Sequence, residues 1–75
     1  MNTLDLHGIK HEKASGLVIR FIEDNWNKNG EQLEIITGHS NEMKKIVKKV
    51  LDEYKLEYKD GSFDGRNMGM IRTEI

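Results

Sequence analysis

Two short segments of the 75-residue chain carry groups able to act on a bound anion. Asp5-Leu6-His7-Gly8 sets a carboxylate and an imidazole two residues apart, and Thr37-Gly38-His39-Ser40 combines two hydroxyls, a glycine and a second imidazole. On a strand, residues two apart share a face with their Cα atoms roughly 7 Å apart. Asp5 and His7 can then both reach one phosphate, or the carboxylate can orient the imidazole as in an acid–base pair. The second segment leads into a helical stretch, so backbone amides near Ser40, Asn41 and Glu42, with the helix dipole behind them, favour an anion there. Gly38 permits close backbone approach. Each fragment also has an ordinary reading: Asp-x-His on an uncovered strand face is commonly two solvated residues, and Ser40 can simply cap a helix.

The elements that must position these groups follow from hydrophobic spacing. Thr3 to His7 alternates apolar and polar residues and stops at Gly8, which predicts a strand with Leu4 and Leu6 facing a core and Asp5 and His7 on the other face. Between His11 and Asn29 the residues Ala14, Leu17, Val18, Phe21, Ile22 and Trp26 recur at helical spacing, with Asn29-Gly30 as the stop. Leu33 to Thr37 is rich in β-branched residues and predicts a second strand. Met43, Ile46, Val47, Val50, Leu51 and Tyr54 predict a second amphipathic helix from Asn41 to about Lys55, with Ser40 as its N-cap. Trp26 and Tyr54 fit these stripes and are expected in the core. Leu56 to Lys59 and Met70 to Ile75 alternate and flank a turn-rich segment, Asp60 to Asn67, predicting two more strands.

The order strand, helix, strand, helix, strand, strand describes a two-layer βαβαββ sandwich of the α+β class, because two single-stripe helices cover only one face of a four-stranded sheet. A crossover unit makes the first two strands parallel, so their carboxyl ends, and with them the two segments, fall at one edge. Open sheets favour ligands at that edge.

Composition narrows the function classes. Twelve Lys and Arg oppose 13 Asp and Glu, a formal net charge of -1, which excludes attachment to nucleic acid by bulk charge and makes any phosphate site local. Cysteine is absent, so disulfides, thiolate zinc sites and cysteine nucleophiles are excluded. There is no apolar run of membrane-spanning length and no secretory signal pattern, so the expectation is one cytoplasmic domain over residues 1–75 with no membrane partner.

Leu4-Asp5-Leu6-His7-Gly8 reproduces the Leu-Asp-Leu-His-Gly signature of the Smr (small MutS-related) domain, and the chain resembles a stand-alone member of that family. Thr37-Gly38-His39-Ser40 is similar to the family's Thr-Gly-x-Gly motif at the matching strand-to-helix junction, and Gly69 before the last strand resembles its glycine and closing strand. The resemblance implies a fold similar to the C-terminal domain of translation initiation factor three, with a mixed sheet whose last strand is antiparallel to the others. It also implies an association with endonuclease activity on DNA or RNA. Carried over by position, Asp5 and His7 are the catalytic candidates, and Gly8, Thr37 and Gly38 are phosphate-site candidates. Ser40 replaces the motif's second glycine, where its side chain either obstructs a phosphate or adds a donor.

His39, Ser40, Lys44 and Arg72 complete the expected nucleic-acid-binding set. Lys44, Lys45, Lys48 and Lys49 read as a solvated helix side, with phosphate steering as the alternative, and Arg66 and Arg72 as backbone contacts. No metal site has compact ligand spacing among His7, His11, His39 and Asp5. Asp5, Glu34 and Glu74 on one sheet face are the residues through which Mg²⁺ could enter as a cofactor. The expected function is nucleic-acid binding with endonuclease chemistry, RNA slightly favoured because it brings its own 2'-hydroxyl nucleophile. The alternatives are a non-catalytic nucleic-acid-binding module and a protein-interaction domain. So small a domain is also expected to depend on a recruiting protein or a ribosome-associated complex for targeting.

Overall fold

The computed structural model describes residues 2–61 and 68–75. Its elements are β1 (Asn2–Asp5), α1 (His11–Asp24), β2 (Gln32–Ile36), α2 (Asn41–Glu53), β3 (Tyr58–Asp60) and β4 (Met70–Glu74). The element order is the one the hydrophobic spacing predicts, and the sheet is mixed, in the order β1-β2-β4-β3. β1 pairs parallel to β2, while β4 runs antiparallel to both β2 and β3, so the last strand alone is reversed.

Side-chain alternation sorts the strands into two faces. Ile35 lies opposite Ile71 and both are fully buried under the helices, with Leu6 beside them. α1 contributes Ala14, Val18 and Ile22 to this core, a stripe of four-residue steps. α2 contributes Met43, Val47, Val50 and Leu51. The other sheet face carries Asp5, Glu34, Arg72 and Lys59 by register. Its layers fit within a smallest Cα extent of 17 Å.

Because β1, β2 and β3 point the same way, each helix must return the chain to the opposite end of the sheet, so α1 and α2 run side by side in the same direction. Both helix N-termini therefore lie at the edge formed by the carboxyl ends of β1 and β2, and both C-termini lie at the far end.

Three boundaries differ from the sequence expectation: the first is that β1 ends at Asp5, so His7, expected beside Asp5 on the strand face, lies in the turn that follows. α1 stops at Asp24 rather than near Asn29. The Asn25 side chain turns back, its Nδ2 donating to the Phe21 carbonyl at 2.8 Å and its Oδ1 accepting from Asn2, which ends the helix five residues early. Trp26 is thereby lifted off the helical stripe, and it is 45% exposed rather than in the core. Tyr54 caps α2 and is half-buried. β3 begins at Tyr58, because Lys55 takes a left-handed conformation (φ 57°) and Leu56 N–H returns to the Leu51 carbonyl.

A domain of this size has only about 3–5 kcal/mol of net stability from its core. Truncating Ile35 or Leu51, both fully buried, removes about 2–5 kcal/mol. The Ile35→Ala and Leu51→Ala variants should therefore lose most of their cooperative thermal transition at 25 °C by circular dichroism, whereas Arg20→Ala, on an exposed i,i+4 pair with Asp24, should shift it by less than about 1 kcal/mol.

Candidate nucleic-acid interface

The first segment is built by the end of β1. Leu6 N–H still donates to the Ile36 carbonyl of β2 at 2.8 Å, which ties the strand ends together. The chain then turns: Ile9 N–H donates to the Leu6 carbonyl at 3.0 Å, with Gly8 third in the turn at φ +78°. That left-handed value is the reason for glycine here, since an added Cβ would meet nothing within 4 Å. Asp5 Oδ1 accepts the backbone N–H of His7 at 2.9 Å. The carboxylate thus braces the turn that presents His7, acting on its backbone where the sequence had suggested the imidazole. Both residues are exposed.

The second segment is held by one atom. The Gly69 carbonyl, just ahead of β4, accepts the Thr37 N–H at 2.9 Å, the Gly38 N–H at 2.8 Å and the Thr37 hydroxyl at 3.2 Å. The hydroxyl also lies 2.8 Å from the Gly38 carbonyl. Thr37 is 4% exposed. Thr37 and Gly38 are expected phosphate-site residues; their N–H and hydroxyl donors are engaged within the protein, and the two residues shape the turn. Gly38 sits at φ +66° with open space around it, so its requirement is conformational and not one of close approach.

The groups left facing outward come next in the chain. Ser40 N-caps α2, its Oγ accepting from Met43 N–H at 3.1 Å. The bond directs an oxygen lone pair into the helix and leaves the hydroxyl proton to donate. The Asn41 and Glu42 amides, in the first turn, have no intrahelical carbonyl to reach. His39 is exposed. Lys44, one turn further on, donates from Nζ to the Met68 carbonyl at 3.0 Å, which holds its ammonium at the same edge. α1 presents a second helix N-terminus here, with Lys10 as an N-cap that makes no side-chain bond.

Two expected contributors, Arg72 and Lys48, are placed differently. Arg72 lies two residues along β4 from the edge, opposite Glu34 on one side and Lys59 on the other, so it is not gathered with the two segments. Arg66 lies outside the described residues. Lys48 is engaged with Asp60, 3.2 Å from Oδ1, so the α2 lysines are not one free stripe. Among the described residues no group of three or more His, Asp or Glu side chains could hold a metal ion. Asp5, Glu34 and Glu74 do lie on one face, but in successive rows, opposite Ile36, Arg72 and Gln32. The contribution missed by sequence reasoning is that of the Met68 and Gly69 carbonyls. Gly69 was the available signal, but its meaning depends on β4 lying next to β2.

A family model for the Smr domain matches residues 4–72, most of the chain and both segments, and the protein belongs to the Smr domain family. No curated protein and no solved structure matches it. Family membership supports nucleic-acid binding as the general activity. No described helix is long and apolar enough to cross a membrane.

The turn geometry makes two stability predictions. Gly38→Ala forces a left-handed alanine and should cost about 1–2 kcal/mol, and Ser40→Ala loses the cap and should cost about 1 kcal/mol. Urea unfolding measures both, and a neutral result at Gly38 would show that the turn is not held as described.

Proposed function

We propose that this Smr domain binds RNA across the edge formed by residues 5–8 and 39–44 and cleaves a phosphodiester there. The observation that carries the reading is the convergence of an exposed, carboxylate-braced histidine with the unsatisfied first amides of α2 at one sheet edge. The amides of Asn41 and Glu42, the Ser40 hydroxyl and Lys44 hold a phosphate. His7 acts as general base on the neighbouring 2'-hydroxyl, whose oxygen attacks phosphorus while the 5'-oxygen leaves, giving a cyclic phosphate and a 5'-hydroxyl. His39, at the start of the adjacent helix, is the second imidazole at this edge and supplies the proton to the leaving oxygen. Asp5 positions His7 through its backbone. RNA is favoured over DNA because it carries the nucleophile, so the described residues suffice without a bound metal ion.

Digestion of labelled RNA and DNA with and without Mg²⁺ tests this. His7→Ala should lower RNA cleavage by roughly 10²–10⁴-fold with binding and fold retained. Equal cleavage by variant and wild type would mark a contaminating nuclease, and salt-sensitive binding with no cleavage would make the domain a non-catalytic module. Lys44→Gln should weaken binding and reduce the slope of log K against log salt by about 1. With so few cations at the edge among the described residues, the wild-type slope itself should be shallow, and a steep one would place the nucleic acid on another surface.

A further inference from the structure

The end of the molecule opposite this edge carries features that the nucleic-acid reading does not use. Trp26 is 45% exposed, just past the end of α1, and its ring packs against Tyr54 at the end of α2, with centroids 5.6 Å apart and planes at 58°. Tyr54 Oη donates to Glu23 Oε2 at 3.2 Å, which fixes the ring and keeps a carboxylate beside it. Partial burial, that bond, and the charges of Glu23 and Glu53 hold the Tyr54 hydroxyl above the usual phenol range. Among the described residues neither Glu23 nor Glu53 has a cationic partner.

The placement of these charges works against the fold. Both helices end in acidic residues, Glu23-Asp24 and Asp52-Glu53, and neither has a basic residue in its last turn. The negative end of a helix dipole disfavours carboxylates and would favour lysine or arginine. This end therefore offers an exposed tryptophan on a two-ring platform, beside Glu23 and Glu53, which have no cationic partner among the described residues, and two helix C-termini. It is complementary to a planar cation, which can lie on the indole face while its N–H groups reach carboxylate oxygens.

We propose that this end is a docking surface for an arginine-bearing basic segment of a partner protein, with Trp26 receiving a guanidinium and Glu23 and Glu53 pairing with its neighbours. One end of the domain then takes a polyanion and the other a polycation, and occupation of one leaves the other open. The proposal stands independently of the nuclease reading.

Trp26 is the only tryptophan, so its fluorescence reports on this surface directly. The full chain is titrated with hexa-arginine, hexalysine and hexaglutamate peptides at 50 and 150 mM salt, and circular dichroism confirms the fold of each variant. The expected result is a saturable emission change with hexa-arginine, weaker binding of hexalysine and none of hexaglutamate. The double variant Glu23→Gln, Glu53→Gln keeps an acceptor for Tyr54 and should bind hexa-arginine about five- to tenfold more weakly. In Trp26→Ala, amide shifts of residues 23–26 and 52–54 should no longer move on addition of hexa-arginine. His7→Ala should bind the peptide as the wild type does, which separates this surface from the nucleic-acid edge. Equal affinity for arginine and lysine peptides, undiminished binding by the double variant, or no saturable change would overturn the proposal. So would an emission change that follows protein concentration without peptide, since a second copy would then be the occupant.

Discussion

The candidate site depends on one backbone carbonyl. Gly69 accepts two amides and a hydroxyl from the Thr37-Gly38 turn, and without it the two amides would lose their partner beside the buried Thr37. The bonds lock the end of β2 to the start of β4 and hold Gly38 in its left-handed conformation. That conformation sets the direction in which α2 departs, and hence where the Asn41 and Glu42 amides point. The motif threonine and glycine thus fix the geometry from which the residues that follow them depart.

The parallel pairing of β1 and β2 has a second consequence. It obliges both helices to run the same way, so their dipoles add at the two ends of the domain instead of cancelling. Glu23, Asp24, Asp52 and Glu53 lie at the negative end, while the first turns at the positive end carry Glu12 and Glu42 beside Lys44 and Lys45. The near-neutral total describes weak long-range attraction to nucleic acid; the local arrangement at each end describes what can bind there.

Much of the fold was legible because hydrophobic period reflects burial on a single face. The stripes Ala14-Val18-Ile22 and Met43-Val47-Val50 mark helices, and the alternation of Leu4 and Leu6 marks a strand. Element ends were less legible. α1 stops at Asp24 because the Asn25 side chain bonds back to the Phe21 carbonyl, a contact that apolar spacing does not register, so Trp26 was expected in the core and lies at the surface. Ser40 was legible as a cap because capping is local.

The sequence by itself determined the local pieces: the elements, the turn glycines, the cap on α2, and the types of residue able to handle a phosphate. Each depends on interactions within a few residues, where spacing along the chain equals spacing in space. Only the tertiary structure decided which of those groups lie together at one edge. Strand order set β4 beside β2, so a carbonyl 32 residues away engages the Thr37 hydroxyl, Arg72 falls two rows from the edge, and Lys44 reaches the Met68 carbonyl. Such pairings arise from long-range register, which no local pattern encodes.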